Sequence, residues 1–150
     1  MARPTGPEVP GIRRRRLVNA VTLATPLGLG LARLGRAEVA QGPHGLLLAA
    51  DYAKPFPAPR ARAVTVGDVV LLRMSRERAL ASPRLLRHEA VHAAQWAGWP
   101  VVFLPAYGLA SLWSLLRHGD AATGNGFEVA AGLEDGGYTR KGHSRRARSP

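Results

Sequence analysis

The chain has 150 residues, a length that suits one domain with a real hydrophobic core. It contains no cysteine, so disulfides and thiolate metal sites are excluded, and any metal must be held by His, Asp or Glu. The formal charge of +11 invites a nucleic-acid reading, but most of the excess sits near the two ends (Arg3 and Arg13–Arg16; Arg140, Lys141, Arg145, Arg146 and Arg148), so no specific nucleic-acid partner is expected.

In chain order, residues 1–16 read as a disordered basic tail, with Pro and Gly dense over 1–12. Residues 17–138 read as a single domain, and 139–150 as a second disordered basic tail. A helical pattern begins at Arg13 and runs to Leu34 in two pieces. Thr25 and Pro26 suit an N-cap and a first helical position for the restart, and Gly35 suits the stop. Leu17–Leu34 is interrupted by Asn19, Pro26 and Arg33, so it does not clearly encode a membrane span. Its basic start and apolar middle leave a weak targeting signal or a peripheral membrane contact as the alternative to a cytoplasmic core helix.

Gly45–Tyr52 reads as a short strand. Pro55, Pro57 and Pro59 make the next stretch a loop. Ala61–Val66 and Val69–Arg73 flank Gly67-Asp68, which predicts a two-residue hairpin, the competing reading being one longer strand with a bulge at Gly67. Ser82–Ala97 is the clearest helix, with Ser82 as cap, Pro83 at the first position and Gly98 at the stop. Val101–Leu116 is apolar enough to be read as buried, with a helix over Pro105–His118 ended by Gly119. Asn125 opens a short helix to about Leu133. Trp96, Trp99, Phe103 and Trp113 are expected in the core.

The chemistry lies in His88-Glu89-Ala90-Val91-His92. Histidines four apart share one helix face, so both imidazoles can reach one Zn²⁺ at about 2.0–2.1 Å. Glu89 projects beside them and can accept a proton from a water that the metal has acidified. The apolar neighbours Leu85, Leu86, Ala93 and Ala94 imply a buried helix, where unpaired His and Glu are costly. A catalytic site needs a third protein ligand, and the downstream candidates are His118, Asp120, Glu128, Glu134 and Asp135. Glu128 is preferred for its apolar setting, although Asn125 and Glu128 also fit a capping box. Gln95 is either a support for the metal site or a polar group reaching backbone. Tyr107, His118 and Tyr138 are candidate donors to a developing oxyanion.

These residues resemble the zincin metallopeptidases, which share the His-Glu-x-x-His helix, and the later glutamate makes the chain similar to the gluzincin branch. The resemblance covers residues 61–135 at most. It implies an α+β, minimal zincin-like core, with a small hairpin or sheet packed on three or four helices and the metal-binding helix central. It implies Zn²⁺ as cofactor, His88, His92 and Glu128 as its ligands, Glu89 as general base, and hydrolysis of a peptide or protein substrate laid against a strand such as Ala61–Arg73. The residues after Glu128 (Val129, Ala130, Ala131) depart from the family, which carries a polar partner there. A non-catalytic zinc-stabilised binding module, or a surface protein acting through its arginine tails, are the other functions considered. Oligomeric state is not readable.

Overall fold

A computed structural model describes residues 11–56 and 61–133. The tail over residues 139–150, and the candidates Glu134, Asp135 and Tyr138, lie outside the described residues. Over the described residues the fold is α+β, with six helices around a mixed four-stranded sheet.

Helix α1 (Ile12–Val21) and helix α2 (Ala24–Leu34) meet at a bend of 74°. The expected tail boundary at residue 16 therefore moves, because Arg13–Arg16 already belong to α1. Arg15 explains why. Its Nε donates to Asp68 Oδ1 at 2.7 Å and its Nη2 to the His44 carbonyl at 2.7 Å, which ties the first turns of α1 to the body of the fold. The restart comes at Ala24, with Leu23 as N-cap, and not at a Thr25 cap. Pro26 sits in the first turn, where a missing N–H breaks no helical bond. The Thr25 hydroxyl instead donates to Asp68 Oδ2 and accepts from the Asp68 N–H, fastening α2 to a turn of the sheet.

Strands β1 (Glu38–Gln41) and β2 (Leu47–Ala50) are antiparallel and joined through a 3₁₀ turn at Pro43–Gly45. Strands β3 (Ala63–Val66) and β4 (Val69–Leu72) form the expected hairpin, pairing Val66 with Val69 across Gly67-Asp68. Gly67 has φ +63°, and a Cβ there would strike the backbone of Ala24 and Thr25, so the turn needs glycine twice over. β4 runs parallel to β2, giving the order β1-β2-β4-β3. All four residues of β4 are buried, as a central strand covered on both faces requires. On one face Leu48, Val70 and Leu72 meet Leu85, Leu86 and Ala93. On the other Ala49, Val69 and Leu71 meet Ala32 and Phe56. Gly28 lets α2 come close to this second face, since a Cβ there would overlap the Val66 carbonyl and the Val69 side chain.

Helix α3 (Arg76–Leu80), capped by Ser75, and strand β1 were not anticipated. Helix α4 (Pro83–Gly98) matches its expected span. Ser82 stands at its N-cap position, but its hydroxyl donates to the Arg78 carbonyl and caps nothing. Helix α5 (Phe103–His118) ends at Gly119, and helix α6 (Gly126–Ala131) opens at Asn125, whose side chain accepts from the Phe127 N–H. The burial expected for Val101–Leu116 is wrong: only Phe103 and Ser114 of α5 are buried, and Leu104, Leu109, Leu112, Trp113, Leu115 and Leu116 are exposed. Trp96 and Phe103 are core residues as expected, whereas Trp99 and Trp113 are more than half exposed.

Candidate metal centre

The buried stripe of α4 is Leu85, Leu86, His88, Glu89, His92, Ala93 and Trp96, the spacing of one helical face. Three of its members are ionisable, and that face packs on the sheet and on α6. His88 and His92 bring their Nε2 atoms to 3.1 Å from each other. Glu128, on α6, places Oε2 at 3.3 Å from His88 Nε2 and Oε1 at 3.5 Å from His92 Nε2. All three residues are buried, and they form a group that could hold a metal ion.

The surroundings set which ring nitrogen of each histidine faces Glu128. His88 Nδ1 is bonded to the carbonyls of Gly132 (2.9 Å) and Ala131 (3.1 Å), at the end of α6. A carbonyl only accepts, so Nδ1 carries the proton and Nε2 presents a lone pair. Gln95 Nε2 donates to the Phe127 carbonyl at 2.9 Å, which orients the amide so that Oε1 accepts from His92 Nδ1 at 2.8 Å. His92 Nε2 is thereby left as a lone pair as well. With His88 Nε2 unprotonated, the buried Glu128 Oε2 has no hydrogen-bond donor among the described residues. Two imidazole lone pairs and a carboxylate thus converge in a buried space, an arrangement that repels itself without a cation at its centre. In a tetrahedral zinc site with bonds of 2.0–2.1 Å, neighbouring ligand atoms stand about 3.3–3.4 Å apart. The two imidazole nitrogens, 3.1 Å apart, stand near that spacing, and each has one Glu128 oxygen at a comparable distance, Oε2 for His88 and Oε1 for His92.

Without metal, protons take its place. Burial pushes His88 and His92 down, but Glu128, through its hydrogen bonds and charge, and Glu89, through its charge, more than reverse this and hold both above the ordinary 6.5. Burial pushes Glu128 up, and the two histidines with the Tyr107 hydroxyl override it and hold the carboxyl well below the ordinary 4.5. The same trio therefore favours positive charge at its centre.

Glu89 stands outside the coordinating trio and projects from α4 beside it. Its Oε2 accepts from the Thr65 hydroxyl of β3 at 2.6 Å. Burial outweighs the neighbouring histidines and raises its pKa above 4.5. Glu89, the three candidate ligands and Thr65 line one cleft of about 220 Å³, whose other walls include Leu85, Phe103 and Leu104. Strand β3 runs along this cleft as an edge of the sheet. Arg73 N–H donates to the Arg62 carbonyl, so residues 62, 64 and 66 bond toward β4 and residues 63 and 65 toward the open edge. The Thr65 carbonyl is taken by Trp96 Nε1 at 2.9 Å, leaving the Ala63 amide and carbonyl and the Thr65 amide along the cleft.

The sequence expectations sort themselves accordingly. His88, His92, Glu89 and Glu128 come together. Glu128 does not close a capping box, because its carboxylate turns to the histidines and the Asn125 N–H donates to the Ala122 carbonyl. Gln95 supports His92. The Tyr107 hydroxyl donates to Glu128 Oε1, so it steadies a candidate ligand, and Tyr107 also lines the cleft. His118 and Asp120 do not line the cleft. Asp120 accepts from the N–H groups of Ala122 and Thr123, which also holds its pKa low. Among the described residues no fourth candidate ligand joins the trio. Thr65 was missed; the one signal for it was a polar residue at an inward position of a short β hairpin.

Residues 32–100 match the family model described as the eCIS core domain. That stretch takes in the sheet, α3 and α4 with both histidines and Glu89, and it stops short of Glu128. No curated protein and no solved structure matches the chain.

Proposed function

We propose that this protein is a zinc-dependent peptidase in which His88, His92 and Glu128 hold the metal and Glu89 is the general base. One observation carries the reading: two imidazoles and a carboxylate converge within reach of one metal ion and share a cleft with a separate, buried carboxylate and an edge strand. Zinc suits the donor set of two imidazoles and one carboxylate, which His88, His92 and Glu128 would supply. When bound, it supplies an acidified water and a polarised substrate carbonyl.

The chain's own residues do the rest. The Ala63 amide and carbonyl and the Thr65 amide pair with an extended peptide backbone laid along β3, which fixes the scissile bond over the trio. Thr65 holds Glu89 in place through its hydroxyl. Glu89 Oε accepts the proton of the attacking water as the new C–O bond forms, then delivers it to the leaving amine nitrogen as the C–N bond breaks. In the metal-free fold burial raises the Glu89 pKa, which favours its taking up a proton.

The test pairs metal analysis of the purified protein with Glu89→Gln. About one zinc per chain is expected in both proteins, with hydrolysis of an unfolded protein substrate only in the unmodified one. A chain that stays free of zinc after reconstitution ends the proposal, and undiminished hydrolysis by Glu89→Gln removes Glu89 from its role.

A further inference from the structure

Two helix-to-helix turns each carry an apolar residue in the left-handed backbone region. Leu23 (φ 64°) lies between α1 and α2, and Val101 (φ 68°) lies between α4 and α5. A β-branched residue at positive φ is a true outlier, so Val101 is held there at a cost. Neither side chain is sheltered: Leu23 is 67% exposed and Val101 83%. Both turns adjoin one buried cluster, which holds Ala24, just after Leu23, together with Trp96 and Phe103 from either side of the α4–α5 turn. Exposed Val21 and Leu27 surround the first tip, and exposed Trp99, Val102 and Leu104 the second.

The chain segments that carry these two turns hold charge of one sign. No Asp or Glu occurs from residue 9 to 37 or from 90 to 119, and the first of these stretches carries Arg13–Arg16, Arg33 and Arg36. Arg14, Arg16, Arg33 and Arg36 are exposed. Among the described residues no single helix is long and apolar enough to cross a membrane, but α1 and α2 together have the length and hydropathy of a span while bent by 74°.

We propose that this face docks peripherally on an anionic lipid bilayer, with Leu23 and Val101 as the inserting tips. The bend lets α1 and α2 follow an interface that they do not cross. An apolar surface flanked by arginines is what an anionic bilayer selects, since burial of side chains and attraction to headgroups add together. Trp99 at the rim suits the headgroup zone. A second copy of the chain fits less well, because a self-complementary contact would bring the two arginine-rich α1 helices together. Leu104 belongs both to this face and to the cleft wall, so docking sets the cleft beside the bilayer. The inference stands independently of the metal centre.

The experiment is co-sedimentation of the full chain with phosphatidylcholine vesicles and with vesicles of phosphatidylcholine and phosphatidylserine in equal parts. The unmodified chain is expected on the phosphatidylserine vesicles, with binding that falls as salt rises. Leu23→Asn with Val101→Asn is expected to weaken that binding about tenfold or more, without lowering the melting temperature, because asparagine accepts the left-handed region. The proposal is overturned by no binding of the unmodified chain, by equal binding of the variant, or by a dimer in solution that the same substitutions dissociate.

Discussion

Replacing Gln95 by methionine isolates the coupling between α4 and α6. The side chain keeps its length but loses both hydrogen bonds, 2.8 Å to His92 Nδ1 and 2.9 Å to the Phe127 carbonyl. Each is worth about 1 kcal/mol in net terms. The first loss also frees the His92 ring to turn and to exchange tautomers, and the second loosens the residue that precedes Glu128. Loss of such support weakens metal binding roughly 10- to 100-fold, equivalent to about 1.4–2.7 kcal/mol. Zinc affinity by competition with a chromophoric chelator reads this directly, alongside the melting temperature of the metal-free protein. Gln95→Glu separates the two contacts: a carboxylate still accepts from Nδ1–H but cannot donate to the Phe127 carbonyl. If the principal role is to orient His92, the glutamate variant recovers most of the affinity. A methionine variant that binds zinc as tightly as the unmodified protein, with only its melting temperature lowered, would refute the reasoning and make Gln95 a packing residue.

The effect of pH follows from the same cluster. In the metal-free fold the raised His88 and His92 stabilise fully below about pH 6.5, and that contribution is lost as pH rises through their raised values. The lowered Glu128 contributes above about pH 4.5, and the raised Glu89 disfavours the fold as it ionises in a buried place. Metal binding instead gains with pH, because both histidines must be unprotonated. The rise in melting temperature on adding zinc is therefore expected to grow between about pH 5.5 and about pH 8, and a constant increment would contradict the ligand assignment. Asp68→Ala strips Arg15 and Thr25 of a nearly fully buried partner and should destabilise the chain by about 3 kcal/mol in urea unfolding. Asp68 does not line the cleft, so zinc affinity should stay unchanged; a loss of both together would mean that the site depends on the packing of α1 and α2.

Local signals were legible wherever the chemistry is local. His88 and His92 share a face because four residues make about one helical turn, and Pro83 and Gly98 bound that helix whatever it packs against. Gly67-Asp68 made the β3–β4 hairpin readable, because only certain residues fit that turn. Partners distant in sequence were not legible in the same way. Glu128 was preferred as a ligand with a capping box as the competing role, and only the packing of α6 on α4 turned its carboxylate to the histidines. Gln95 and Thr65 acquire roles solely from neighbours 32 and 24 residues away. Composition misjudged α5, since apolar content measures an affinity for burial, while the supply of surfaces to bury it against is a property of the whole fold.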